Sequence, residues 1–140
     1  MVDSISLKAV EWVVLTKVPT PGLVKTRLIP ALGPQAACDV YMRLLQRMEL
    51  NLKRVLANRS SHVALWIAGD AELEFGLELA DKHSAFKSWA SFATVYQQPE
   101  KSEVDLGERM ALAVKSALSR NRIPVLIGVD VPDLDEAYLM

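Results

Sequence analysis

Apolar residues fall along this chain in two alternating textures. Short, nearly continuous apolar runs occupy residues 9–16 (AVEWVVLT), 62–68 (HVALWIA) and 124–129 (PVLIGV), with a weaker run at 92–97 (FATVYQ). Runs of this length, rich in β-branched residues, predict strands covered on both faces. Between them the period changes. Residues 35–58 place Ala37, Tyr41, Leu44, Met48, Leu52 and Val55 three or four apart, which is one face of a helix, with Arg43, Arg47, Glu49, Lys53 and Arg54 elsewhere on its surface. Residues 71–83 repeat the pattern with Leu73, Leu77 and Ala80. A third helix opens at Asp105, an N-cap with Glu108 three residues on in a capping-box arrangement. Its expected inward face is Met110, Val114, Ala117 and Leu118, and Arg120–Arg122 close it with the charge a helix C-terminus prefers. Residues 84–91 have no period and read as irregular, and a further helical start at 136–140 stops within about one turn.

Strands alternating with helices imply crossover units. The expected fold is therefore α/β: a mostly parallel, Rossmann-like sheet with helices on both faces, in one domain over residues 1–140. Glu11 interrupts the first apolar run near the strand's start. The composition, 51% hydrophobic and 24% charged with a formal net charge of −1 over 140 residues, suits an ordered globular chain. It argues against a broad nucleic-acid or membrane surface, so any anion binding should be local. The single cysteine, Cys38, sits in a helical pattern and is expected to be buried; with His62 and His83 alone beside it, no Cys/His zinc site can be assembled. The N-terminus lacks a signal-peptide pattern and no apolar run reaches membrane-spanning length, which makes the cytoplasm the expected location.

Candidate chemistry concentrates where the first strand ends. Lys17, Lys25 and Arg27 lie in a loop stiffened by Pro19, Pro21, Gly22, Pro30 and Gly33. Open α/β sheets bind anionic ligands at such carboxyl ends. The loop matches neither G-x-G-x-x-G nor a P-loop. The i, i+2 spacing of Lys25 and Arg27 favours one side of an extended segment, where Arg offers a fork of donors to phosphate and Lys a point charge. On composition alone a solvated basic loop explains the same residues. Asp130, at the carboxyl end of the fourth strand, could hold Mg²⁺ or Mn²⁺ against a diphosphate. Asp133 and Asp135 spell D-x-D but are better read as a turn residue after Pro132 and an N-cap. Asp70, after Gly69, is placed like Asp130 with less to recommend it. Arg109 reads as a surface residue of a capped helix start, Trp12, Trp66 and Trp89 read as core, and no Ser/His/Asp or Cys/His constellation is present.

Three stretches together resemble one known pattern, in the same order: K-x-P-x-P-G-x-x-K-T-R-L at residues 17–28, D-L-G-E-R-M at 105–110, and L-I-G-x-D-x-P-x-L at 126–134. They look like a bacterial glycosyltransferase-like family with the GT-A fold. That family is also described as a domain of unknown function, or as radical-SAM/selenodomain-associated and arsenosugar-biosynthesis-type glycosyltransferases. The resemblance runs from about Val10 to the last residue. Two departures stand out: Val129 and Val131 replace the usual Ser and Cys around Asp130, and Val104 replaces a glycine before Asp105.

The resemblance implies a nucleotide-diphospho-sugar transferase fold related to phospholactate guanylyltransferase. It places the nucleotide on Lys17, Gly22, Lys25, Thr26 and Arg27, and brings Asp105 and Arg109 near it. It also sets the first and fourth strands side by side, so that Asp130 with Mg²⁺ or Mn²⁺ faces the loop. The implied partner is a nucleotide or nucleotide-sugar, with no nucleic acid and no membrane, and the implied reaction is glycosyl transfer. A nucleotidyltransferase releasing pyrophosphate and a non-catalytic nucleotide-binding or interaction module are the alternatives. Relatives of this pattern extend past the position of Met140, so the family's acceptor part is expected to be missing, and a homodimer through the uncovered edge of the fourth strand follows as an expectation.

Overall fold

The computed structural model describes residues 8–58, 60–68, 86–99 and 105–129. Among them four strands form one parallel sheet: β1 (Val10–Lys17), β2 (Ser61–Ala68), β3 (Ala93–Gln97) and β4 (Ile123–Ile127), in the order β3-β2-β1-β4. The helices are the short α1 (Ile29–Leu32), the long α2 (Pro34–Asn58) and α3 (Leu106–Ser119), with 3₁₀ turns at Thr26–Leu28 and Lys87–Ser91. This is the Rossmann-like α/β fold the alternation predicts. The helix expected at 71–83 and the helical start at 136–140 lie outside the described residues, and so do Asp70, Asp130, Asp133 and Asp135.

Strand alternation assigns the two faces of the sheet. Trp12, Val14, Val63, Leu65 and Ile67 face α2, where Cys38, Tyr41, Leu45, Met48, Leu52 and Val55 complete the larger core. Val13, Ala64 and Trp66 point the other way, onto α3 through Ala113. Small alanines, and not the bulky residues, set the contact face of α3: Ala113 and Ala117 are buried, Met110 and Val114 only partly so, and Leu118 is 57% exposed. Leu118 is therefore a correction to the expected inward face. Its 3.6-residue phase lies one position off the stripe that a close helix–sheet approach selects. Trp12, Trp66 and Trp89 are buried as expected, Trp66 stacking on Tyr96 with centroids 4.5 Å apart.

The largest local departure from sequence reading is Glu11, which is completely buried. Its carboxylate accepts from Arg120 Nε at 3.1 Å, Arg120 Nη2 at 2.6 Å and Arg122 Nη1 at 2.9 Å. The turn after α3 aims both arginines. Asn121 adopts a left-handed φ of 60°, its N–H bonds Leu118 O at 2.9 Å, and Arg122 N–H bonds Ala117 O at 3.2 Å, which is a Schellman-type ending with Asn at the left-handed position. Arg120 also lies over the Tyr96 ring, 5.2 Å from its centroid. Arg120 and Arg122 thus serve as partners for a buried charge more than as complements to the helix dipole.

Candidate functional site

The strand order reverses direction at β1. From β1 the chain runs to β2 and β3 on one side, then crosses back to β4 on the other. In parallel α/β sheets such a reversal opens a crevice at the carboxyl ends of the two adjacent strands where the order changes direction, here β1 and β4, because the segments leaving such strands diverge onto opposite faces. Here the crevice is bounded by the segment after β1, by the end of β4 at Ile127–Val129, and by the amino end of α3.

Each wall has a local cause. Thr20, Pro21, Gly22 and Leu23 form a tight turn closed by Leu23 N–H to Thr20 O at 3.0 Å; Gly22, with φ 91°, is the third residue of a type II arrangement that Pro21 initiates. Val24 then plunges into the α2-side core, only 2% exposed. Lys25 takes a left-handed conformation (φ 50°, ψ 44°) and opens the 3₁₀ turn Thr26–Leu28. The expectation of an extended segment carrying Lys25 and Arg27 on one side is therefore corrected. A 3₁₀ turn advances by about 120° per residue, so positions two apart point different ways. Lys17, Thr26 and Arg27 are exposed, and Lys25 is half-buried.

Two hydrogen-bonding devices pin the end of β1 from opposite faces. On the α2 side, Tyr41 Oη lies 2.6 Å from Thr16 Oγ1 and accepts from Lys17 N–H at 2.9 Å. On the α3 side, Gln98 donates from Nε2 to Trp66 O at 2.8 Å and to Thr16 O at 3.2 Å, while its main-chain N–H reaches Ile67 O at 2.9 Å. Gln98 Oε1 accepts from Arg109 Nη1 at 3.1 Å.

Arg109 is thus not the surface residue its position in an amphipathic helix suggests. It is 8% exposed, its Nε has no hydrogen-bond partner, and among the described residues no carboxylate pairs with it. A buried cation normally finds an anion, since desolvation of an uncompensated charge costs several kcal/mol. Asp105 does not fill that role: it is the N-cap of α3, its Oδ1 accepting Glu108 N–H at 2.8 Å. Gln98 thus links Arg109 to the end of β1, beside Lys17; Gly22, Lys25, Thr26 and Arg27 follow in the segment that leaves β1, and Asp105 stands at the amino end of α3.

The metal expectation has no test within these residues. Asp130 lies outside them, and among the described residues no group of three or more His, Cys, Asp or Glu side chains could hold an ion. The strand adjacency that the metal reading needs is present, since β1 and β4 pair in parallel with Val14 opposite Ile127. Among the described residues no helix is long and apolar enough to cross a membrane. A shallow hollow of about 300 Å³ is lined by Pro99, Glu108, Ala111, Leu112 and Lys115 on the solvent side of α3. Cys38 is buried, and burial and then the nearby Asp39 charge push its thiol pKa up, which removes it as a nucleophile.

Sequence reasoning missed Gln98 and the hydroxyl role of Tyr41. Tyr41 was legible only as a core position of α2, and Gln98 carries no pattern of its own. Glu11 did leave a signal: a carboxylate inside a continuous apolar run requires a cationic partner.

A protein-family model matches residues 51–140; its description is "Uncharacterized protein conserved in bacteria (DUF2064)". No curated protein matches the chain. Among solved structures the chain is similar to a candidate nucleotide-diphospho-sugar transferase from Desulfovibrio desulfuricans G20, with 25% sequence identity and a TM-score of 0.68. That match covers 94% of this chain and 52% of the other, so the chain spans about half the length of its structural relative.

Proposed function

The chain belongs to that bacterial DUF2064 family, and from this membership we propose that it binds a nucleoside-diphosphate sugar in the crevice at the carboxyl edge of the sheet and acts in glycosyl transfer. One observation carries the reading. Arg109, buried and without a carboxylate partner among the described residues, sits across the end of β1 from a loop bearing Lys17, Lys25 and Arg27. A diphosphate bound between the two walls would give that buried charge its counter-ion. The similarity to a candidate nucleotide-diphospho-sugar transferase supports the same ligand class.

In this reading Gly22 gives the turn its left-handed geometry, and the Lys25, Thr26 and Arg27 segment contacts phosphate oxygens. Arg109 and the loop cations stabilise the negative charge that develops on the departing nucleoside diphosphate. Mg²⁺ or Mn²⁺ held by Asp130 would supply further charge neutralisation. Asp105 contributes by capping α3 and so fixing where Arg109 starts. Radical-SAM-associated and arsenosugar-type acceptors are the first to screen once the donor is known.

The test is thermal-shift and calorimetric titration with UDP, GDP, UDP-sugars and GDP-sugars, each with and without Mn²⁺. At a hundredfold excess over Kd, ligand linkage stabilises the native state by about 2.7 kcal/mol. Arg109→Met should abolish most of that gain. A wild-type protein whose melting point no nucleotide shifts would overturn the proposal. Pyrophosphate release from a nucleoside triphosphate would move the reaction to nucleotidyl transfer at the same site.

A further inference from the structure

The carboxyl edge raises a question that nucleotide binding alone does not answer: why the buried guanidinium of Arg109 is held by an uncharged residue. We propose that Gln98 is the positioning residue of the site, holding Arg109 and the end of β1 at one fixed spacing and leaving the charge of Arg109, which pairs with no carboxylate among the described residues, to an incoming diphosphate. The ligand in this inference rests on the nucleotide reading above; the geometry does not.

Gln98 is 3% exposed, and both ends of its side chain are engaged. Its amide nitrogen donates to the main-chain carbonyls of two adjacent strands, Trp66 O on β2 and Thr16 O on β1. Its amide oxygen takes the Arg109 Nη1 proton. Few side chains can satisfy this set: the site needs two donors and one acceptor in a single plane, with no net charge. A glutamate would set a carboxylate against two carbonyl oxygens and cancel the charge of Arg109. A lysine would leave Arg109 without an acceptor.

The opposite edge of the same sheet shows what a purely structural arginine tie looks like. There the single carboxylate of Glu11 holds both Arg120 and Arg122 and offsets one of their two positive charges. At the carboxyl edge the arginine is oriented by a neutral acceptor, and its Nε is left without a partner. Thr16 O, to which Gln98 donates, belongs to the last residue but one of β1; from the next residue, Lys17, the loop departs. A shift of Gln98 therefore moves both walls of the crevice together.

The experiment compares Gln98→Met, Gln98→Glu, Arg109→Met and the double variant Gln98→Met/Arg109→Met, with urea denaturation recorded for each. Calorimetric titration uses inorganic pyrophosphate and UDP as probes. Gln98→Met is expected to weaken probe binding at least tenfold. Gln98→Glu should weaken it further, by neutralising Arg109, and the double variant should bind no more weakly than Arg109→Met alone. Binding within twofold of wild type in both Gln98 variants, or losses that multiply in the double variant, would overturn the proposal.

A readout independent of any ligand separates this inference from the nucleotide reading. Hydrogen exchange in Gln98→Met should rise at least tenfold at residues 16–23 and in the first turn of α3, and stay unchanged at residues 10–13. If the wild type binds neither probe but exchange follows this pattern, the nucleotide reading fails and the positioning role stands. A uniform rise, no rise, or unfolding of both Gln98 variants at 25 °C would make Gln98 an ordinary stability residue and sink the inference.

Discussion

Glu11→Gln offers the sharpest test of how the sheet is held, because the change is nearly isosteric and removes one charge from a fully buried position. Three charge-assisted hydrogen bonds converge on the carboxylate, at 3.1, 2.6 and 2.9 Å. Each contributes about 1.5–3 kcal/mol net, so their sum sets a ceiling of roughly 5–9 kcal/mol. Two effects lower it. Glutamine keeps one acceptor oxygen, and the Arg120 and Arg122 side chains remain 27% and 25% exposed, so water recovers part of their solvation. The expected loss is about 3 kcal/mol, at the low end of the cost of breaking a buried pair. For 140 residues this corresponds to a fall in Tm of about 10 °C. Acid gives the second arm. Burial acts most strongly on the Glu11 carboxyl and raises its pKa, but the hydrogen bonds and charges of Arg120 and Arg122 together outweigh it and hold the group below its ordinary value of 4.5. A group depressed in the folded state stabilises above its unfolded pKa and loses that contribution as pH falls through the folded value. Urea denaturation of both proteins should therefore show a constant gap from pH 7 down to about 5, closing below pH 4.5. A gap under about 1 kcal/mol at neutral pH, or one that persists undiminished to pH 2, would refute the assignment of stability to this cluster.

Two further substitutions address the pins at the carboxyl edge. Tyr41→Phe removes the acceptor of Lys17 N–H and the partner of Thr16 Oγ1, and should cost about 2 kcal/mol in urea denaturation, since a part-buried donor is orphaned; a change below a few tenths would mean water replaces the phenol. Asp105→Ala deletes the N-cap bond to Glu108 N–H and should cost about 1 kcal/mol by the same assay, with Asp105→Asn recovering most of it; failure of Asn to recover it would point to a role for the charge beyond capping.

The alternation of apolar textures made the parallel sheet legible, because a strand buried on both faces has to be apolar throughout and a two-faced helix does not; β4, expected to be covered on both faces, is instead the edge of the sheet among the described residues, with Ile123 and Leu126 exposed. The ends of β1, β2 and β3 shift by a residue or so from the predicted runs, and β4 begins at Ile123 one residue early and stops at Ile127 two residues short of the predicted 124–129. The inward face of α3 was less legible: Ala117 is buried as expected, but Met110 and Val114 are only partly so, Leu118 is exposed, and Ala113, packed with Val13 and Ala64, takes the central place. Composition cannot reveal that preference, because it comes from the distance between helix and sheet. The loop cations were visible as residues, but their relative directions depended on the left-handed Lys25 and the 3₁₀ turn after it, which no periodicity encodes. Gln98 was invisible for a different reason. Its role exists only once three chain segments distant in sequence meet, and a lone glutamine after a strand has many mundane explanations.

The same side chain, arginine, is used at both edges of this sheet with different kinds of partner, a carboxylate at one and a neutral amide at the other, and that contrast bears on the proposed site. At the amino edge two arginines surround one buried carboxylate, which pins the turn after α3 to β1 and offsets one of their two positive charges. At the carboxyl edge the ties are neutral, a tyrosine hydroxyl on one face and a glutamine amide on the other, so rigidity is obtained without spending the charge of Arg109. Had stability alone shaped that edge, a glutamate at position 98 would hold Arg109 more strongly at the expense of repulsion from Thr16 O and Trp66 O. The arrangement observed keeps a preoriented cation in a partly dehydrated setting, where an anion gains most from meeting it. Among the described residues that charge has no carboxylate partner, and it lies where the strand order reverses, a position at which a ligand can reach segments from both faces of a parallel sheet.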